Sequence, residues 1–235
     1  MNIMKKLSKS TAFLLSIIAT MTFSNISFAK DCYKESSVQG SIECMRAEDN
    51  AKEKQITKSI NSLKNKIHKK RFDALVASQK YWYDSIINHC KFRYHYDGTK
   101  SFLDVSVCVN GEFASRTKNV KADIQNILKN PNRNKPVEYE STHLYEIESK
   151  ITEKQFQNIR ELIKDPYSYN LQRVKFYLEH YDAWRLFADN FCYFYSNSYR
   201  TCKRALYTAK LKLFDRDYKF LTTPPEKGEY MFPDY

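Results

Sequence analysis

The only two tryptophans of this chain each stand eight residues ahead of a cysteine, Trp82 before Cys90 and Trp184 before Cys192. A further cysteine follows across a gap in each half, Cys108 and Cys202, with a basic residue eight positions later, Arg116 and Lys210. Anchors recurring in one order read as an internal duplication whose second gap is shortened. The repeat constrains the fold: what one half builds around its indole and cysteines, the other builds as well.

The N-terminus bears on compartment. Lys5, Lys6 and Lys9 precede an apolar run from Ala12 to Phe23, and Ser27-Phe28-Ala29 offers small residues where a signal peptidase reads. This predicts a secretory signal peptide over residues 1–29, cleaved after Ala29, and a periplasmic or secreted protein. No later segment approaches the ~20 apolar residues of a membrane helix. All six cysteines lie beyond the cleavage point, and an even number in an exported chain reads as disulfides. A zinc site competes poorly, because no Cys-x-x-Cys pair occurs and none of the five histidines stands at ligand spacing. No metal and no cofactor is expected.

Helical periodicity dominates, and glycine is scarce at four residues. Ile56, Ile60, Leu63 and Ile67 form one apolar stripe, and Phe72, Val76, Gln79, Tyr83, Ile86 and Cys90 a second. A third, Val109, Phe113, Val120, Ile124 and Leu128, closes at Asn130-Pro131, where proline stops a helix. Between Arg93 and Cys108 the pattern fails around Asp97-Gly98-Thr99, which predicts a loop. The polar stretch 130–140 reads as a linker. Past it, Phe156, Ile159 and Ile163 predict one helix face. Leu171, Val174, Leu178, Tyr181, Ala188 and Phe191 mark a second helix, and Tyr207, Leu211, Phe214, Tyr218 and Leu221 a third.

The expected fold is all-α: two related three-helix units, disulfide-stapled, over 30–129 and 141–221. An extended aromatic tail follows over 222–235. Cysteines flanking the same interhelical loop in each unit predict the bridges Cys90–Cys108 and Cys192–Cys202, with Cys32–Cys44 fastening the N-terminal arm.

The first half also carries a familiar run: Cys44, Ile60-Asn61, Leu75, Gln79-Lys80-Tyr81-Trp82, Cys90, Gly98, Cys108 and Arg116. Over roughly Cys32–Leu128 this resembles the LprI-like lysozyme-inhibitor family of small exported helical domains. Within the second half only Trp184, Cys192 and Cys202 echo it. The family's Tyr-Arg-Asp between Trp and Cys is Ser85, Ile86 and Ile87 here, and Phe187, Ala188 and Asp189 in the second half. The resemblance implies an exported binding protein occluding a cell-wall hydrolase, with a loop around Tyr94–Lys100 as the inserting element. Asn61, Gln79, Trp82, Gly98, Arg116 and Trp184 are its motif residues. Their expected role is structural: Trp82 beside its disulfide, Gln79 satisfying a buried backbone group, Arg116 fixing a loop.

Charge supplies the alternatives. The chain has a formal net charge of +12, and the leader takes away only lysines. The run Lys64, Lys66, Lys69, Lys70 and Arg71 is either an anion contact or a helix end complementing the C-terminal dipole. An anionic envelope polymer or membrane surface is therefore the alternative partner. Export makes nucleic acid an unexpected one. A basic lysozyme would be repelled at long range, so an acidic hydrolase or a local acid patch suits the first reading better. No nucleophile elbow, His-Glu-x-x-His or glycine-rich phosphate loop occurs. Glu146, Glu148 and Glu153 give acids near one another that could in principle serve a hydrolase, but such spacing is usual on a solvated helix face. The expected protein is not an enzyme.

Overall fold

A computed structural model describes residues 32–94, 99–135, 144–164, 170–196 and 198–222. The predicted leader, Gly98, Pro166 and all of the aromatic tail beyond Thr222 lie outside them. The described residues form six long helices and no strand: α1 (Val38–Asn61), α2 (Lys69–Tyr94), α3 (Thr99–Lys129), α4 (Tyr145–Lys164), α5 (Asn170–Tyr195) and α6 (Tyr199–Thr222). None is long and apolar enough to cross a membrane. In each set of three the first helix packs on the third, and the middle helices α2 and α5 pack on each other as the most extensive contact of the molecule.

Local chemistry sets the helix ends. Ser37, extended at φ −142° and ψ 153°, accepts from the Gly40 amide through its hydroxyl and caps α1. The first apolar stripe does not continue as one helix. α1 ends at Asn61, and residues 62–68 turn tightly while still burying Leu63 and Ile67. His68 then opens α2: its Nδ1 accepts from the Lys70 amide and its carbonyl from the amides of Arg71 and Phe72. The basic run therefore straddles a turn and the N-terminus of α2, so the expectation that it complements a helix C-terminus is overturned. Lys69 sits at the wrong end for the dipole and is relieved by Asp73 at 2.6 Å.

The predicted loop over 93–108 is also corrected. α3 begins at Thr99, so Cys108 lies well inside a helix. Polar residues such as Asp104 and Ser106, which blurred the periodicity, remain half-buried along it. Two second-half faces were misassigned. On α4 Phe156 and Ile163 are 60% and 58% exposed, while Ile151, Asn158 and Leu162 face the core. At the start of α5 Leu171 is 82% exposed and Phe176, Tyr177 and His180 are buried instead. The stripes followed hydrophobicity, whereas this core also takes polar groups that find partners inside: the buried Asn158 amide donates to the Tyr177 hydroxyl and the Phe214 carbonyl.

One hydrophobic core runs through both sets of helices, joining Ile60, Leu75, Trp82 and Phe113 to Tyr177, Trp184, Phe191 and Phe214. A satellite of Cys32, Met45 and Val107 ties the N-terminal arm to α1 and α3. The linker is anchored at its start, because the His68 amide donates to the Arg133 carbonyl and Arg71 Nε to the Lys135 carbonyl.

Candidate functional site

The three cross-links are Cys32–Cys44, Cys90–Cys108 and Cys192–Cys202, with Cα–Cα separations of 5.5, 5.8 and 5.5 Å. No described cysteine is free. The second and third join the end of the middle helix to the third helix of each set. The two indoles occupy matching positions. Trp82 is 7% exposed and meets Phe113 edge-on at 5.3 Å; Trp184 is 9% exposed and meets Tyr207 at 5.1 Å. Phe113 and Tyr207 each lie five residues past the second cysteine of their half. A cation covers each indole, Arg116 at 5.8 Å and Lys210 at 5.2 Å. In each half this ring and this cation come from the third helix, and the indole shares one core cluster with the cysteine at the end of its own helix.

The central seam extends the correspondence. Arg71 and Arg173, each eleven residues ahead of its tryptophan, reach across to the far helix. Arg71 Nη1 donates to the Phe194 carbonyl at 2.8 Å, and Arg173 Nε to the Phe92 carbonyl at 3.0 Å. Phe92 and Phe194 both stand two residues past a cysteine, and both are fully buried. The contacts are reciprocal, as across a two-fold axis. Arg71 is only 1% exposed, which overturns its expected role in a surface anion contact. Its guanidinium binds carbonyls at the end of α5 and in the linker.

Below the indoles lie two buried charge clusters. In the first, Arg116 donates through Nε to Gln79 Oε1 at 3.0 Å and through Nη1 to Asp123 at 3.3 Å. Arg116 therefore joins Gln79 to Asp123, and neither Gln79 nor Arg116 serves the backbone or loop role expected of it. Burial lifts the Asp123 carboxyl to about 6 against the pull of Arg116. In the second cluster the matching pair is Lys210 and Asp217, rewired through the seam. Asp217 faces Arg93 at 3.3 Å, and the Lys210 ammonium reaches His180 Nε2 at 2.6 Å. His180 Nδ1 lies 2.8 Å from the Ser85 carbonyl, so that nitrogen carries the proton and Nε2 accepts from Lys210. Burial lowers Lys210 to about 8 and holds His180 well below the usual histidine range, with Lys210 reinforcing the latter. The His89 ring lies 4.9 Å from that of His180. Its Nδ1 is closed off from solvent without a partner among the described residues.

The sequence reading missed Asp123, Asp217, His180, Arg93 and the arginine clamps. The repeat signalled several of them. Asp123 and Asp217 fall fifteen residues past Cys108 and Cys202, so extending the register beyond Arg116 and Lys210 would have exposed them. His180 and Arg93 have no counterpart in the opposite half and carried no such signal.

Outside the core, Lys64, Lys66, Lys69 and Lys70 are exposed, and Asn61 is exposed at the end of α1. Lys64, Lys66 and Lys70 have no ion-pair partner among the described residues. Tyr94 and Lys100 close α2 and open α3, with the intervening turn outside the described residues. Glu146 pairs with Lys150 at 2.7 Å and Glu148 with Lys203 at 3.6 Å, while Glu153 is exposed. Comparison with protein-family models, curated proteins and solved structures finds no match.

Proposed function

We propose that this is an exported binding protein of the lysozyme-inhibitor type, acting on a cell-wall hydrolase in the periplasm or outside the cell. The reading rests on the motif run from Cys44 to Arg116 and on one structural observation, the cross-bracing of the frame. Three disulfides and the reciprocal arginine clamps hold the helices in place, and a pre-ordered surface loses little entropy on docking. Disulfides fit an oxidising compartment. The buried charges are enclosed within that frame and serve no reaction in this reading. The test is turbidity loss of a cell-wall suspension by one basic and one acidic muramidase, with and without the oxidised protein. Inhibition of the acidic enzyme supports the reading; inhibition of neither enzyme removes it.

A second reading is binding to an anionic envelope polymer. Lys64, Lys66 and Lys70, exposed and without an ion-pair partner among the described residues, favour it. Salt separates the two, because polymer binding collapses between low and moderate ionic strength while docking into a cleft persists.

A further inference from the structure

The first half of α2, the second half of α5 and the start of α6 enclose an open depression of about 480 Å3. That lies within the roughly 300–1,000 Å3 of small-ligand sites. Its lining includes the small Ala74 and Ala77 and the half-buried Tyr193. We propose that this depression is a saccharide subsite, taking a sugar unit that bears a carboxylate. Such a site goes beyond hydrolase binding and stands whether or not a hydrolase is bound.

The argument is the balance of donors and acceptors. The Tyr199 hydroxyl at 2.9 Å and the Lys203 ammonium at 3.2 Å both engage Oδ1 of Asp189. Its second oxygen has no partner among the described residues, and the carboxylate is held in place. Asn190 spends its Nδ2 on the Leu186 carbonyl at 2.8 Å, which fixes the amide and leaves its carbonyl oxygen to accept. Asp73 adds another carboxylate, already engaged by Lys69 on Oδ2. A site rich in acceptors selects a ligand rich in O–H and N–H donors, as sugars are. The negative face of the Tyr193 ring suits the polarised C–H groups of a pyranose. Lys70 lines the depression, is exposed and has no ion-pair partner among the described residues, so it supplies a cation for the sugar's carboxylate. Free phosphate carries at most two O–H donors and has no C–H face to set against Tyr193.

The test uses the oxidised full chain and amide shifts in two-dimensional NMR. The probes are the disaccharide of N-acetylglucosamine and N-acetylmuramic acid, its neutral counterpart chitobiose, and inorganic phosphate. The acidic disaccharide should shift the amides of Ala74, Ala77 and Asn190. Lys70→Ala should weaken it about threefold, the scale of an exposed charge contact, and leave chitobiose unchanged. Asn190→Ala should weaken both sugars. Absence of shifts in those amides up to the solubility limit overturns the assignment. Equal shifts from phosphate, or a Lys70→Ala protein that binds the acidic sugar undiminished, overturn it as well.

Discussion

Replacing Arg71 by alanine separates a buried clamp from a surface anion contact. The guanidinium donates to Lys135 O at 2.7 Å, Phe194 O at 2.8 Å and Ser196 O at 3.4 Å, with 1% of the residue exposed. A hydrogen bond from a charged donor contributes about 1.5–3 kcal/mol net. The 3.4 Å contact is weak, and water re-enters to satisfy part of what is lost. Two strong bonds discounted in this way leave a destabilisation of about 3 kcal/mol. With a urea dependence of about 2–3 kcal/mol per molar, the unfolding midpoint should fall by roughly 1 M. Lys70→Ala, one residue away and exposed, should stay within about 0.5 kcal/mol. The assay is urea unfolding followed by far-ultraviolet circular dichroism on the oxidised proteins. A midpoint for Arg71→Ala within error of Lys70→Ala would refute the clamp.

The other expectations concern the buried charges and the cross-links. Arg116→Met should cost about 3–5 kcal/mol, because Asp123 is left buried without its cation, whereas Lys210→Met should cost less than about 1.5 kcal/mol, since Asp217 keeps Arg93; thermal unfolding of the two variants compares them. The pKa of His180 is lower in the folded state than in the unfolded chain, so its stabilisation is present above about pH 6.5 and lost as pH falls below it. Urea midpoints of His180→Asn should therefore decline less than wild type between pH 7 and 5, and an unchanged slope would contradict the assignment. The Asp123 carboxyl is raised to about 6, so its own contribution is largest in acid and is lost as pH rises through 6, which Asp123→Asn should flatten over the same range. Removing Cys192–Cys202, which spans 10 residues, should cost about 3 kcal/mol, nearly the same as removing Cys90–Cys108 with its span of 18, because loop entropy grows only logarithmically.

Much of this frame was legible in the chain. The Trp–Cys register predicted two of the bridges and the matching settings of Trp82 and Trp184, which left Cys32 to pair with Cys44, and hydrophobic periodicity predicted the six helices. The exposed faces of α4 and α5 were not legible. Phe156 and Leu171 look like core residues until the buried Asn158 and His180 are seen with their partners, and those partners lie on other helices. Arg71 misled for a similar reason. In sequence it closes a basic run, but its three carbonyl acceptors lie 64 or more residues away. The shallow depression was equally hidden, because its α2 residues lie far in sequence from those of α5 and α6, and Ala74 and Ala77 carry no signal of their own.

The central claim is a covalently braced pair of helix sets that does its work beyond the cytosol. Non-reducing peptide mapping of the protein recovered from the cell envelope tests it most directly. The account predicts an N-terminus at Lys30 and three linked peptide pairs, 32 with 44, 90 with 108 and 192 with 202. Free thiols, a different pairing or a chain still carrying residues 1–29 would contradict it.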